Sequence, residues 1–132
     1  MSALTPAQLA RLRAIVGSEN VLTSPEDTIP YGFDGTAALK GPAEIVVLPG
    51  STEEISAVVK FAGEYGRAIV TRGSGTGLSG GSVPSEGCII LCLTRLDKIL
   101  SVDAANLTVR AQCGVITAAI DAAVLQHGLF YP

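Results

Sequence analysis

The stretch Arg72-Gly73-Ser74-Gly75-Thr76-Gly77-Leu78-Ser79-Gly80-Gly81 decides how the rest of the chain is read. Five of the chain's 15 glycines fall within these ten residues. Glycine tolerates positive φ, so successive N–H groups can turn inward and form a concave nest of donors. The missing side chains also let a ligand's oxygens approach the backbone. Ser74, Thr76 and Ser79 add hydroxyls, and Arg72 adds a permanent charge on a planar fork. No Asp or Glu occurs from Ala68 to Ser85, although acidic residues outnumber Lys plus Arg 12 to 9 over the whole chain. A diphosphate suits such a loop, with Gly77 among the positions expected at positive φ. The opposing reading is a flexible surface loop. The apolar strand directly upstream, the arginine and the acid-free window argue against it.

Working outward, Ala68-Ile69-Val70-Thr71 reads as the strand that feeds the loop. Before it, Ile45-Val46-Val47-Leu48 is a wholly apolar run, as expected of a strand covered on both faces. Between them Ser51-Thr52-Glu53-Glu54 forms a capping box, and Ile55, Val58, Val59 and Ala62 give one apolar helical face. Strand, helix, strand at this spacing predicts a parallel crossover. After the loop, residues 88 to 93 read as a buried strand. Residues 99 to 102 and 107 to 111 read as a hairpin turned at Asp103-Ala104-Ala105-Asn106. A last helix is expected over about residues 117 to 126, with Ile120 and Val124 inward and Gly128 as its cap. At the other end, Thr5-Pro6-Ala7-Gln8 predicts a capped helix that Gly17 ends in a left-handed conformation. Residues 18 to 43, rich in Pro and Gly, read as a segment that wraps another surface. The expected class is α+β: a small parallel βαβ layer followed by an antiparallel β portion with helices. Residues 1–42 form the N-terminal helix and wrapping segment, and residues 43–132 the main domain.

Two familiar phosphate devices do not fit. A P-loop needs Gly-Lys-Ser/Thr, and the loop has no lysine. Residues 75 to 80 satisfy G-x-G-x-x-G, but a dinucleotide site of that type starts a helix inside the motif, and Gly80-Gly81-Ser82-Val83-Pro84 cannot. A third device fits. Residues 72 to 84 resemble the diphosphate loop of the vanillyl-alcohol-oxidase/p-cresol-methylhydroxylase (PCMH) type FAD-binding fold. Pro49-Gly50-Ser51-Thr52-Glu53-Glu54-Ile55 resembles that fold's first strand-to-helix turn. Thr94-Arg95-Leu96-Asp97-Lys98-Ile99, Gly114-Val115 and Gly128-Leu129-Phe130-Tyr131-Pro132 match its usual spacing. Tyr31-Gly32-Phe33-Asp34 is similar to the glycolate oxidase subunit and D-lactate dehydrogenase branch of these FAD-linked oxidases.

The resemblance implies FAD as cofactor, with residues 72 to 77 around the diphosphate and the loop through Leu78 closed by Ser79, Gly80 and Gly81. Pro132 then lies in the turn by which family members approach the flavin. The implied reaction is oxidation of a small 2-hydroxy acid by hydride transfer to FAD. The branch also implies a partner subunit in a multi-subunit oxidase. Family members carry a second half of the FAD domain and a substrate cap, with substrate-binding arginines and a catalytic histidine or tyrosine. None of those positions exists here, so no catalytic residue is named, and the domain is expected to be incomplete at its C-terminus. The apolar end Leu129-Phe130-Tyr131-Pro132 points the same way, against the alternative of a terminal strand tucked onto this domain. Some members attach FAD through a histidine in the loop. The aligned position here is Thr76, whose hydroxyl is a poor nucleophile, so non-covalent FAD is expected. The rival reading is a non-enzymatic truncated module that binds a nucleotide diphosphate or a partner chain.

Composition narrows the rest. Hydrophobic residues make up 48% and charged residues 16%, a balance opposite to disorder. A net charge of −3 lacks the basic footprint of nucleic-acid binding. No apolar run approaches the ~18 residues of a membrane span. With no secretory leader legible, a cytoplasmic setting is expected, and Cys88, Cys92 and Cys113 read as small buried hydrophobes, not metal ligands. Asp34 reads as a turn residue in preference to a cofactor contact, and His127 as a residue at a helix end in preference to a catalytic one.

Overall fold

The computed structural model describes residues 3–36 and 38–132; Met1, Ser2 and Ala37, all within the N-terminal segment, lie outside the described residues. Helix α1 (Pro6–Val16) starts as its sequence dictates. Thr5 Oγ1 accepts the Gln8 N–H at 3.3 Å, and Gln8 Oε1 accepts the Thr5 N–H at 2.9 Å. Gly17 ends it with φ 90° and ψ 146°, a positive φ with extended ψ instead of the expected left-handed helical turn. The wrapping segment holds more structure than its composition suggested. It contains a 3-10 turn (Ser18–Asn20), strand β1 (Val21–Leu22), the short helix α2 (Pro25–Thr28) and a second 3-10 turn (Ile29–Tyr31).

The main sheet adds β2 (Val46–Val47), β3 (Ile69–Arg72) and β4 (Ile89–Cys92), in the order β1-β2-β4-β3. β1 runs antiparallel to β2, and the other pairs are parallel. The strands flanking helix α3 (Thr52–Glu64) are therefore parallel, as expected, but β4 inserts between them. Helix α3 is capped by Ser51, whose hydroxyl accepts the Glu54 N–H at 3.2 Å. Glu54 does not complete the predicted box on Ser51; its carboxylate reaches one residue further, to the Gly50 N–H at 2.6 Å.

Both faces of the sheet are covered, and β4 shows how. Ile89 and Leu91 pack with Leu12 and Val16 of α1 and with Val58 and Phe61 of α3. Ile90 and Cys92 point the other way, into a second cluster with Val46, Tyr31 and Val70. All four β4 residues are buried, and each fully buried isoleucine stabilises the fold by about 1.5–3 kcal/mol. The wrapping segment thus closes the face that the helices leave open.

The antiparallel portion is a hairpin of β5 (Ile99–Asp103) and β6 (Thr108–Ala111), followed by helix α4 (Thr117–Leu125). Asp103 holds its turn by accepting from the Asn106 N–H and side-chain amide, at 3.1 and 2.7 Å. Leu107, expected as the first residue of the second strand, belongs to the turn, with φ 54°. Val124 of α4 is buried and Ile120 half-buried. One cysteine expectation fails: Cys88 and Cys92 are buried, but Cys113 is exposed. Its turn packs through Gly114, whose N–H donates to the Leu96 carbonyl at 2.8 Å, and leaves the thiol outward. Among the described residues no helix is long and apolar enough to cross a membrane.

Candidate functional site

β3 and β4 lie side by side, with Arg72 paired to Cys92 at their carboxyl ends. Parallel neighbours need a crossover, which a helix usually supplies. Here the glycine stretch takes that part, leaving β3 at Gly73 and returning to β4 before Ile89. A cleft of about 850 Å³ opens at these strand ends, the usual position for a ligand in a parallel sheet. Gly73, Ser74, Gly75 and Thr76 form one side of it. Cys92 and Thr94 contribute from the end of β4, and Tyr31, Phe33 and Asp34 from the wrapping segment.

Arg72 stands at the base of the loop and is only 8% exposed. Its guanidinium donates to backbone carbonyls of the wrapping segment: Nη1 to Phe33 at 2.7 Å and Tyr31 at 3.3 Å, Nη2 to Pro30 at 3.4 Å. It also lies 5.3 Å from the centre of the Tyr31 ring. The fork that the sequence offered to a ligand is thus engaged by the chain itself.

The glycines divide into two kinds. Gly75 and Gly80 have positive φ, 79° and 74°. A Cβ on Gly75 would also sit 1.9 Å from Arg72 Nη2. Gly77, expected at positive φ, is not there; the turns fall at Gly75 and Gly80, and the Gly77 carbonyl accepts the Gly35 N–H at 2.9 Å. Gly73 and Gly77 have neither reason: their φ is ordinary, and a Cβ on either would meet nothing within 4 Å. Of these two, Gly73 lines the cleft.

Of the predicted site residues, the structure brings Arg72, Gly73, Ser74, Gly75 and Thr76 to the cleft. Gly77, Leu78, Ser79, Gly80 and Gly81 run on beyond its lining, with Leu78 79% exposed. Pro132 lines a separate cleft of about 820 Å³ beside the hairpin and α4, and is not brought to the loop. Cys92 and Thr94 were missed by sequence reasoning. Their signal is the register of β4 against β3, which local periodicity does not contain. The Cys92 thiol faces the Thr94 hydroxyl at 3.4 Å and the Gly73 carbonyl at 3.9 Å.

Asp34 is buried, and its Oδ1 accepts the Thr36 N–H at 2.8 Å, which is the turn expected for it. That N–H holds its carboxyl below the usual carboxylate range, against burial, with smaller help from the Thr36 hydroxyl and the N–H groups of Gly80 and Ser82. Burial raises the Tyr31 phenol and the Cys92 sulfur adds to this, while Arg72 opposes it. The lining also includes Glu26 and Asp27 of α2, which disfavour an anion on that side.

The arrangement suits a diphosphate at the loop. Gly73 leaves a cradle that a Cβ would fill, the Ser74, Thr76 and Thr94 hydroxyls can donate, and Arg72 lends positive potential from below. A parallel sheet with an irregular glycine crossover at its carboxyl end is the architecture of a flavin-binding domain of the PCMH type. Residues 43–132 match the model of the FAD binding domain family, and the chain belongs to that family, so FAD is the cofactor its fold is built for. Over 122 residues the chain is 38% identical to the glycolate oxidase subunit GlcD of Bacillus subtilis (strain 168), covering 92% of this chain and 26% of that protein. It is 43% identical over 106 residues to the D-lactate dehydrogenase of Archaeoglobus fulgidus, covering 77% of this chain and 24% of that protein. The chain therefore spans about a quarter of the length of these relatives. Among solved structures, p-cresol methylhydroxylase with substrate bound superposes with a TM-score of 0.80 at 23% identity, over 96% of this chain and 26% of that one, a likeness of fold.

Proposed function

We propose that this chain is the FAD-holding part of an oxidoreductase that oxidises a small 2-hydroxy acid. In this reading residues 73 to 76 hold the diphosphate, and Arg72 supports them from the base of the loop. The observation that carries it is Gly73: at ordinary φ and with open space at its Cβ position, its lack of a side chain serves nothing within the chain and clears the backbone for a ligand. The substrate class is supported by two relatives whose names place them with glycolate and D-lactate, both 2-hydroxy acids. FAD, when bound, supplies the acceptor for the hydride from the carbon that bears the hydroxyl. This chain's part is to seat the cofactor. The loop N–H groups and the Ser74 and Thr76 hydroxyls orient its diphosphate, and the turn at Gly75, fixed by Arg72, keeps those donors aligned before binding. A partner subunit belongs to the same reading, since the Bacillus relative is named as a subunit.

The test is a titration of the chain with FAD, followed by competition. ADP, which carries a diphosphate, should displace FAD, and riboflavin, which carries none, should not. Equal competition by riboflavin would move the flavin away from the glycine loop. Anaerobic addition of glycolate or D-lactate should leave the flavin colour unchanged with this chain alone, because its share of the parent protein holds the cofactor and not the substrate. Bleaching would contradict that division. FAD binding that is absent even at high concentration would favour the partner-chain module instead.

A further inference from the structure

The family match begins at residue 43, yet the segment just before it holds the glycine loop along its course. At the near end, the Arg72 guanidinium donates to the carbonyls of Phe33, Tyr31 and Pro30 at 2.7, 3.3 and 3.4 Å, and lies 5.3 Å from the centre of the Tyr31 ring. These acceptors are neutral, so they occupy the fork without cancelling its charge. The same guanidinium fills the space beside Gly75, where a Cβ would collide with Nη2 and Cζ. In mid-loop, the Gly35 N–H donates to the Gly77 carbonyl at 2.9 Å. The fit there is close: a Cβ on Gly35 would lie 2.8 Å from Leu78 Cδ2 and 2.9 Å from the Gly77 carbonyl oxygen. At the far end, Leu39 fills the space beside Gly80, and a Cβ on Gly41 would fall against the Pro84 carbonyl oxygen. Gly41 is anchored within the segment by its N–H, which donates to the Gly32 carbonyl at 2.8 Å.

We propose that residues 30–36 and 38–41 act as a strap on the cofactor site, and that Arg72 is a positioning residue. The strap's carbonyls aim the guanidinium, the guanidinium sets the turn at Gly75, and that turn points the donors of residues 73 to 76 at the diphosphate. The seams at Gly35 and Gly41 keep the rest of the loop in step. A planar fork meets several acceptors at fixed angles, which an ammonium on a flexible stem does not, so the position calls for arginine and not merely for a positive charge. The coupling is reciprocal. A strap that favours the binding geometry is itself tightened by binding, although Leu39 and Gly41 lie outside the lining of the cleft.

This rests on the FAD reading for its consequence in binding, and the test separates the two. Arg72→Lys keeps the charge and loses the fork; Arg72→Met loses both. The dissociation constants of FAD and ADP should rise together by about tenfold in either variant, with the helical circular dichroism unchanged. Gly41→Ala loosens the strap outside the cleft and leaves Arg72 in place; it should raise the same constants by about fivefold. The unaltered chain reads the coupling without substitution, by amide exchange with solvent. The Gly41 amide should exchange faster than the Ile90 amide, which is bonded to the Ile45 carbonyl in the main sheet, and saturating ADP should slow both by the same factor. A Gly41 amide that keeps its rate while ADP slows Ile90 would overturn the proposal. So would Arg72→Lys or Gly41→Ala variants that bind both ligands within about twofold of the unaltered chain. If the unaltered chain binds neither FAD nor ADP, the cofactor reading fails, and the free chain still decides the strap. Gly41→Ala should then shift the distant Gly75 and Thr76 amides, and amides that stay in place would refute the hold on the loop.

Discussion

At Gly73 and Gly75, two residues apart, the same amino acid serves two different ends. Gly75 is glycine because the chain needs it: φ is 79° and the Arg72 guanidinium occupies the space of a Cβ. Gly73 is glycine although the chain would tolerate a side chain there. Substitution should separate these reasons. Gly75→Ala should destabilise the fold by about 2–4 kcal/mol, from the backbone strain and the displaced guanidinium together, visible as a lower melting temperature without cofactor. Gly73→Val should leave that melting temperature nearly unchanged and weaken FAD at least tenfold. Equal behaviour of the two variants in both measurements would refute the distinction. Sequence alone reveals the cluster of glycines but not this division, since composition carries no φ. The expectation of positive φ at Gly77 failed for that reason. Arg72 was legible as a charge beside an anion site. Its engagement with carbonyls some forty positions upstream was not, because nothing local announces so distant a partner.

The elements were legible where they are announced by their ends. Thr5 and Ser51 mark helix starts through hydrogen bonds made within a few residues. β1 escaped because Val21-Leu22 is an isolated apolar pair, whereas β2, equally short as a strand, lies in the apolar run Ile45 to Leu48; β1 exists through its pairing with β2. The contact between α1 and α3 is another feature that only the folded chain shows. Arg11 places Nη1 and Nη2 on the Glu64 carboxylate at 2.8 and 2.9 Å, bonds the Tyr65 hydroxyl, and lies 5.5 Å from the Phe61 ring centre. The arginine hydrogen bond is the main reason that the Glu64 carboxyl sits below its ordinary value. A carboxyl lowered by folding adds stability above its unfolded pKa and loses it as pH falls through the folded value. Thermal melts from neutral to acid pH should therefore show a slightly shallower loss for Glu64→Gln than for the unaltered chain. The effect should be small, because both partners are half exposed to solvent. Parallel curves would show that the pair contributes nothing to acid stability.

For the molecule as a whole, the α+β class, the parallel layer and the later hairpin were all foreseeable from spacing, and the family was legible in the glycine loop together with the stretches 49–55, 94–99, 114–115 and 128–132. The order of the strands was not, because strand order is a long-range property. Nor was the nearness of Cys92 to the cleft, which bears on how flavin is held. The loop offers Thr76 where a histidine makes the covalent bond in some relatives of this fold, and the Cys92 thiol is buried against Thr94 and the Gly73 carbonyl. The flavin should therefore dissociate when the protein is unfolded. After acid precipitation of the FAD-loaded chain, all yellow colour should remain in the supernatant; a coloured pellet, or a peptide carrying the mass of FAD, would show a covalent link.

The placement of β4 between β2 and β3 has a consequence for how the chain is made. Synthesis delivers β2, α3 and β3 first, and at that stage two strands flank a gap one strand wide. Until residues 89 to 92 leave the ribosome, both inner edges carry unpaired N–H and C=O groups, and half of the core has nothing to pack on. The last strand to arrive is thus the central one. The tether that must let it double back into the gap is the glycine stretch, so the segment that serves a ligand in the finished molecule serves assembly beforehand.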